Sequence, residues 1–483
     1  MSTHNGVFPP PGFVTQGDPQ NDGTVSPAQL SDEEKAYHGK RQSSSNDGVQ
    51  HGSMHEGEQK FHQLGWKRLT VCLIVEAIAL GSLSVPSAFA TVGMVPGVIL
   101  CIGLGLVAIY TSYIVGQVKL GHPHIQHYAD AVKLIWGRFG YELTGVMFVL
   151  FLVLLVGSHA LTGTIAFVSI IGEPNVCALA WGVLSAVILF LLALPPTFAE
   201  FAWLGYIDFA SIVIAIGITI IATGVQAGDQ VGGLAAANWS AWPQEDVTLA
   251  QGFLSVTNII FAYSFAVCQF SFMSEMHTPR DYVKSIWALG IIEIFIYTIT
   301  GALVYAFVGQ DVKSPALLSA GPLVARIAFG IALPVIFISG SINSVVVGRY
   351  ILDRAFRNSP IRYINSVTGW TVWVSLVAFL TVIAWIIAEA IPFFNALLGI
   401  ISSLFISGFT FYFPALFWFL LIKEGKWNDG WKNTTLSVMN AIIFVMGIAI
   451  LGLGTYASVQ DIVDQYSTGD VRTSFTCDSN SYT

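Results

Sequence analysis

Apolar stretches of about 20 residues, each long enough to cross a hydrocarbon layer of about 30 Å, recur along this chain. Eleven spans follow from the pattern: Leu69–Val92, Pro96–Val118, Leu143–Ile171, Ala178–Leu194, Trp203–Val225, Gln251–Phe272, Ile286–Val308, Pro322–Val347, Thr371–Ala388, Phe394–Ile422 and Leu436–Thr455. They predict an all-α membrane protein with eleven transmembrane helices. Residues 1–60 are of a different kind, rich in Pro, Gly, Ser, Asp and Gln and poor in large apolar side chains. Such a segment buries too little surface to offset its ordering entropy and is expected to be a disordered tail. It has no apolar core of a cleavable signal, so the first span is the expected insertion signal. The division that results is a tail over 1–60, a transporter core over 61–460 and a second tail over 461–483.

Composition sharpens this picture. Hydrophobic residues make up 54% of the chain and charged residues 10%, with a mean hydropathy of +0.68. Soluble domains carry about 25% charged residues. The net charge of −8 offers no basic surface for nucleic acid. Its distribution sets the topology. Eighteen of the 21 Lys and Arg residues fall on one side of the spans, and only Lys313, Arg326 and Arg472 on the other. The positive-inside rule puts the N-terminus in the cytosol. An odd number of spans then puts the C-terminus outside, and the plasma membrane is the expected location.

Two spans are interrupted at equivalent places in the two halves of the chain. The first carries Gly81-Ser82-Leu83-Ser84-Val85-Pro86 at its centre, and the sixth carries Ala262-Tyr263-Ser264-Phe265-Ala266. Gly81 lowers helix propensity, and Pro86 has no N–H for the Ser82 carbonyl. Unwinding there would expose N–H groups that attract a carboxylate. Carbonyls at the end of a half-helix suit an ammonium. An α-amino acid carries both charges on one carbon. A plain kink is the bland reading of either segment alone, and the pairing across halves favours a binding site. The predicted substrate site is Ala79, Leu80, Gly81, Ser82, Leu83 and Ser84 on one side, with Tyr263, Ser264 and Phe265 on the other.

The same residues carry a family resemblance. Ala79 to Ala90, followed by Gly93, resembles the first-helix signature of the amino acid/auxin permease family, G-x-G-x-L-x-x-P-x-A-F, with Ala79 where the first glycine stands. Phe261-Ala262-Tyr263-Ser264-Phe265, then Glu275-Met276, Pro279, Asp281, Tyr282 and Lys284-Ser285, looks like that family's sixth helix and following loop. Glu76 to Ser84 is most similar to fungal neutral amino acid permeases of the methyltryptophan-resistance type. The resemblance implies a five-plus-five inverted repeat with helices 1 and 6 broken, one extra helix, and secondary active transport.

A charge at the bilayer centre costs about 2.5–3.5 kcal/mol on insertion scales, so ionisable residues within spans are functional candidates. Glu76, His159 and Glu293 are the candidates for proton coupling, and Asp208 lies about one turn into the fifth span. A paired structural carboxyl or a hydrogen-bonded core histidine is the competing reading of each. Glu142, Glu200, Glu275 and Glu389 sit near span ends and read as solvated boundary residues. Sodium is the rival coupling ion, and Ser339, Ser341 and Asn343 of the eighth span would serve its site. No cofactor is expected. His122, His124 and His127 have a spacing a metal could use, but they read as a solvated loop. No nucleotide-binding or hydrolase motif appears, so neither an ATP-driven pump nor an enzyme is expected.

Cys177 and Cys477 are the two cysteines on the predicted outer side, and a disulfide between them is expected. Asn238-Trp239-Ser240 is a glycosylation candidate in an outer loop. The partners expected are an amino acid substrate and the lipid bilayer; no oligomeric state follows. The sequence thus points to a proton-coupled symporter of neutral amino acids, aromatic and large aliphatic ones preferred. A vacuolar exporter, a sodium-coupled symporter and a non-transporting amino acid sensor are the alternatives.

Overall fold

A computed structural model of the protein describes residues 65–172, 176–196, 204–357, 359–468 and 474–477, without the side chains of Cys72, Val75 and Glu76. The expected tail over 1–60 lies outside the described residues. The described residues form helices and no strand. In order these are α1 (Trp66–Val92), α2 (Met94–Gly121), α3 (Tyr128–Ile171), α4 (Ala178–Leu192), α5 (Leu204–Asp229), α6 (Leu249–Ala262), α7 (Gln269–Ser274), α8 (Tyr282–Val308), α9 (Pro322–Ala355) and α10 (Val367–Ala390). They are followed by α11 (Phe394–Ile422) and α12 (Gly430–Ser467). Among the described residues eight helices are long and apolar enough to cross a membrane, and three shorter apolar stretches, Ala77–Val92, Ala178–Leu192 and Leu249–Ala262, accompany them.

Buried helix faces carry many small and polar side chains among the large apolar ones, while the outward faces are apolar, as expected where the surroundings are lipid. On α5 the buried face is Gly205, Asp208, Ser211, Ile212, Ala215, Ile216, Thr219 and Thr223. Its outer face exposes Ile207, Val213, Ile214 and Ile221. The buried hydroxyls bond their own helix, Thr219 to the Ala215 carbonyl and Thr223 to the Thr219 carbonyl, both at 2.8 Å. α9 packs chiefly on α3 and α5, and α8 on α1 and α2. The middle of α11, Ser402–Tyr412, is wound as a π-helix.

α6 and α7 are the two halves of one span. α6 starts at a capping box between Thr248 and Gln251 and stops at Tyr263, whose backbone leaves the helical region. The chain is irregular to Cys268 before α7 begins. The expected break in the sixth span is therefore present. The expected break in the first is not: α1 runs as one helix from Trp66 to Val92 with Pro86 inside it. Proline removes a single ladder bond. Around it Ser82 bonds the Ile78 carbonyl at 2.8 Å, Ser84 that of Gly81 at 3.1 Å and Ser87 that of Ser84 at 2.8 Å. Such back-bonding bends a helix without opening it.

Gly81 serves close packing instead. A Cβ built there would lie 2.7 Å from the Ala262 Cα and 3.3 Å from the Tyr297 hydroxyl. The missing side chain lets α1 touch the end of α6, backbone to backbone.

The C-terminal boundary also differs from expectation. The last helix continues past residue 460 to Ser467, so the segment from 461 begins as helix. Residues 474–477 are fastened: Ser474 bonds the Ala390 carbonyl at 3.1 Å, and Cys477 is joined to Cys177 by a disulfide. The Cys477 carbonyl also accepts the Ala178 N–H at 3.3 Å.

Two outcomes follow from this packing. Gly81→Ala must displace backbone, so it is expected to cost ~1–3 kcal/mol and to lower the thermal midpoint in detergent. Gly103→Ala on α2, where a Cβ meets nothing within 4 Å, is the control and should melt as the parent does. Equal midpoints for the two variants would reject the close approach. Separately, non-reducing peptide mapping should recover the Cys177 and Cys477 peptides linked; alkylation of Cys477 without prior reduction would show the bond absent.

Candidate substrate site

The site is built where α1 passes the break between α6 and α7. A helix that ends leaves its last carbonyls without helical partners, and α6 ends at Ala262, deep in the core. Ala262 is fully buried, with Tyr263 and Phe265 at 1% exposure and Ser264 at 8%. The break is bridged locally: the Tyr263 N–H bonds the Ile260 carbonyl at 3.0 Å, and the Val267 N–H that of Ser264 at 3.1 Å. Against it lies the segment of α1 named from the sequence. Ala79, Leu80, Gly81, Ser82, Leu83 and Ser84 are all buried. Their amides stand within a continuous helix, so in this conformation they are not the open anion cradle expected of a broken one.

The two predicted halves of the site therefore meet, though not as drawn from the sequence. Tyr263 turns toward α2 and α8 rather than outward as a wall. Its ring meets Tyr297 edge-on with centroids 5.2 Å apart. It also flanks Gly105 of α2, where a Cβ would lie 3.1 Å from its Cε1. Tyr297 donates to the Ala77 carbonyl at 3.0 Å, one turn before Gly81. Glu293, one turn before Tyr297 on α8 and completely buried, interacts electrostatically with both tyrosines. This links a titratable carboxyl to the α1 backbone and to the α6 break through two phenols.

The other candidates are dispersed. His159 is 1% exposed and sits on α3 against α9, where a Cβ on Gly340 would lie 2.8 Å from its own Cβ. Neither of its ring nitrogens has a hydrogen bond. Glu76 lies on α1, and its side chain falls outside the described residues. Ser339, Ser341 and Asn343 are buried on α9. Ser341 bonds the Ile338 carbonyl at 2.8 Å and the Asn343 amide that of Ser339 at 3.0 Å, while Asn343 Oδ1 has no hydrogen bond. Asn238 is exposed in the loop before α6. No group of three or more metal-ligating side chains occurs among the described residues.

Sequence reasoning missed several polar atoms. Asn258 Oδ1 on α6 and Thr410 Oγ1 on α11 are buried without a hydrogen bond; both carboxylate oxygens of Asp208, which the sequence did single out, are in the same position. A polar residue inside an apolar span was the signal for Asn258 and Thr410, but which of these go unpaired depends on the neighbouring helices. The boundary acids need correction too. Glu142 is exposed and pairs with Arg354, and Glu200 lies outside the described residues. Glu389 is 2% exposed, beside Gly182 of α4. Glu275 is 7% exposed and bound to Arg349 at 2.7 Å. It is not solvated because it is buried against Arg349 of α9. His127, read as part of a solvated loop, caps α3 and lies 3.6 Å from Asp353.

Comparison with known proteins bears on the whole chain. The protein is 62% identical over 423 residues to the N amino acid transport system protein of Neurospora crassa, covering 87% of this chain and 90% of that one. It is 30% identical to a transmembrane transporter of Fusarium pseudograminearum, covering 87% and 88%. It is 24% identical to amino acid permease 2 of Arabidopsis thaliana, covering 80% and 86%. Its fold is similar to that of Mhp1, a nucleobase-cation-symport-1 family transporter, in a closed conformation, with a TM-score of 0.52 at 13% identity over 85% of this chain and 93% of that one. A profile described as transmembrane amino acid transporter protein matches residues 62–460. With this match over most of its length, the chain belongs to the transmembrane amino acid transporter family.

Proposed function

We propose that this amino acid transporter is a proton-coupled symporter of neutral amino acids, working by alternating access at the plasma membrane with its N-terminus in the cytosol. The observation that carries the reading is the interrupted sixth span, whose buried end touches Gly81 of α1, with the buried acid Glu293 electrostatically close to Tyr263 and Tyr297 there.

The substrate ammonium is assigned to the last-turn carbonyls of α6, which the α-helix leaves unpaired. The carboxylate is assigned to the amides of Gly81 to Ser84, reached when α1 loosens at the turn that Pro86 has already weakened. The serine hydroxyls that now bond carbonyls of α1 can hand over their bonds at that moment. The walls around the break are apolar and aromatic, with Phe261 and Phe265 buried beside it, which favours large uncharged side chains.

Glu293 is the proposed proton carrier among the three candidates, because its charge lies near Tyr263 at the α6 break and near Tyr297, which bonds the α1 backbone. Each proton carried inward gains about 2.3 kcal/mol per 100 mV of membrane potential. The sodium reading has one specific support, the unpaired Oδ1 of Asn343. Against it, Ser341 and the Asn343 amide are already committed to their own helix.

Two measurements test the reading. In proteoliposomes, labelled phenylalanine uptake should be competed by leucine, tryptophan and methionine and spared by arginine and aspartate. Equal inhibition by the charged amino acids would overturn the substrate class. Glu293→Gln keeps shape and removes the titrating group. It should abolish accumulation driven by a pH gradient while leaving counterflow at equal pH within about twofold of the parent. Accumulation that persists in Glu293→Gln moves the coupling role to Glu76 or His159, and accumulation that requires sodium moves it to α9.

A further inference from the structure

A cavity of about 480 Å³ lies between the ends of α3, α5 and α8 and the start of α9, on the face that the charge distribution assigns to the outside. Its volume is in the range of small-molecule sites, about 300–1,000 Å³. It is separate from the break in the sixth span, because none of its lining residues belongs to α1, α6 or α7.

The charges on its wall are unusual for this face. Only Lys313, Arg326 and Arg472 fall on the outer side of the chain, and the first two line this cavity together with Asp311. Arg326 and Asp311 have no ion pair among the described residues. The Arg326 guanidinium rests against the bare backbone of Gly172 at the end of α3, where a Cβ would lie 3.0 Å from its Cζ. Ser169 of α3 lines the same cavity. It is 8% exposed, and its hydroxyl is buried without a hydrogen bond. Such a hydroxyl is a standing cost that a ligand oxygen would relieve. α9 adds its N-terminus, which begins at Gly321 and Pro322 without a side-chain cap and carries the positive end of the helix dipole.

The wall that carries these groups is fastened in place. Gln226 of α5 donates to the Ala320 carbonyl at 2.6 Å, the Lys313 N–H bonds Ser319 Oγ at 2.9 Å, and Ser314 bonds Asn395 Oδ1 at 2.7 Å. The loop from α8 to α9 is thus tied at three points. Phe307 and Leu318 add apolar surface beside the charges.

We propose that this cavity is an outer capture site for the zwitterion of an α-amino acid, with the carboxylate on Arg326 and Ser169 and the ammonium on Asp311. A bare anion would use the cations and the α9 N-terminus but would be repelled by Asp311. A zwitterion uses both signs, and its side chain has Phe307 and Leu318 to lie against. Lys313 raises the positive potential at the rim. Substrate held there is concentrated at the outer face. The proposal takes the identity of its ligand from the amino acid transport reading and its place from the cavity alone.

The test is the rate at which a membrane-impermeant maleimide labels Gln230→Cys in proteoliposomes, with the parent protein as blank. Gln230 is exposed and lines the cavity, whereas Cys101 and Cys268 are buried and Cys177 and Cys477 are joined. Phenylalanine should slow labelling saturably. It should do so better than phenylalaninamide, which lacks the carboxylate, N-acetylphenylalanine, which lacks the ammonium, and sodium sulfate. Arg326→Gln should raise the half-protecting concentration of phenylalanine about fivefold, the upper share of one exposed ion pair. Asp311→Asn should weaken phenylalanine alike and favour N-acetylphenylalanine. Ser169→Ala, which gives up no protein hydrogen bond, should also weaken protection.

Labelling indifferent to phenylalanine overturns the site. So does protection that these variants leave untouched, since ligand at the α6 break would act in that way. Equal protection by sulfate and phenylalanine shows an anion site only and overturns the zwitterion assignment. If Arg326→Gln does not fold, Asp311→Asn and Ser169→Ala decide. Counterflow of labelled phenylalanine in the same proteoliposomes separates the two readings. Protection that depends on Arg326 without counterflow counts against the transport reading, and counterflow without protection counts against the cavity.

Discussion

In hydrocarbon every backbone amide and carbonyl must find its partner inside the protein, and a chain that breaks a helix there must answer for each group it frees. The interruption between α6 and α7 is where this protein meets that constraint most sharply. It is tolerated because the break is buried in protein on every side. α1 closes it through Gly81, and the loop from Tyr263 to Cys268 bonds back on itself. The carbonyls left at the end of α6 are polar groups in an apolar core, which is what a membrane protein needs to hold a charged substrate without surrounding it with charged side chains.

α1 shows the other answer to the same constraint. Pro86 frees one carbonyl, and the serines at 82, 84 and 87 spread the local bonding so that the helix stays whole. A helix held by such side-chain bonds is closed yet easily opened, since each hydroxyl can exchange one acceptor for another at little cost. One span permanently interrupted and one span weakened but intact give the fold a fixed half and an adjustable half around a common point. Tyr297 connects them, donating to α1 while stacking edge-on against the tyrosine at the α6 break.

Titratable groups follow the same geometry. Glu293 reaches the break from the helix behind it, and Glu275 lies at the far end of α7, against α9. The first is enclosed within the bundle and the second at its margin. The C-terminal segment is held by covalent means: the Cys177–Cys477 bond fastens it to the start of α4.

Much of this was legible without coordinates. Apolar length determined the helices, since a bilayer-spanning run needs no tertiary information to be recognised, and the Ala262–Ala266 interruption marked the break in the sixth span. The residues of the α1 segment, the pair Cys177 and Cys477, and the acid at 293 were also visible as exceptions to their surroundings. What only the tertiary structure decided was which way these features turn. Proline and glycine in α1 read alike as a break or as a kink with a close contact, and the approach of Ala262 selects the second. Tyr263 faces α2 and α8 because Gly105 leaves room for its ring there. Glu275 stands at the end of a span, where sequence position suggests water, and is buried against Arg349 of α9. Periodicity and composition report the solvent a segment prefers. Partners across helices are set by packing between residues far apart in the chain, and a single sequence carries no local trace of that pairing.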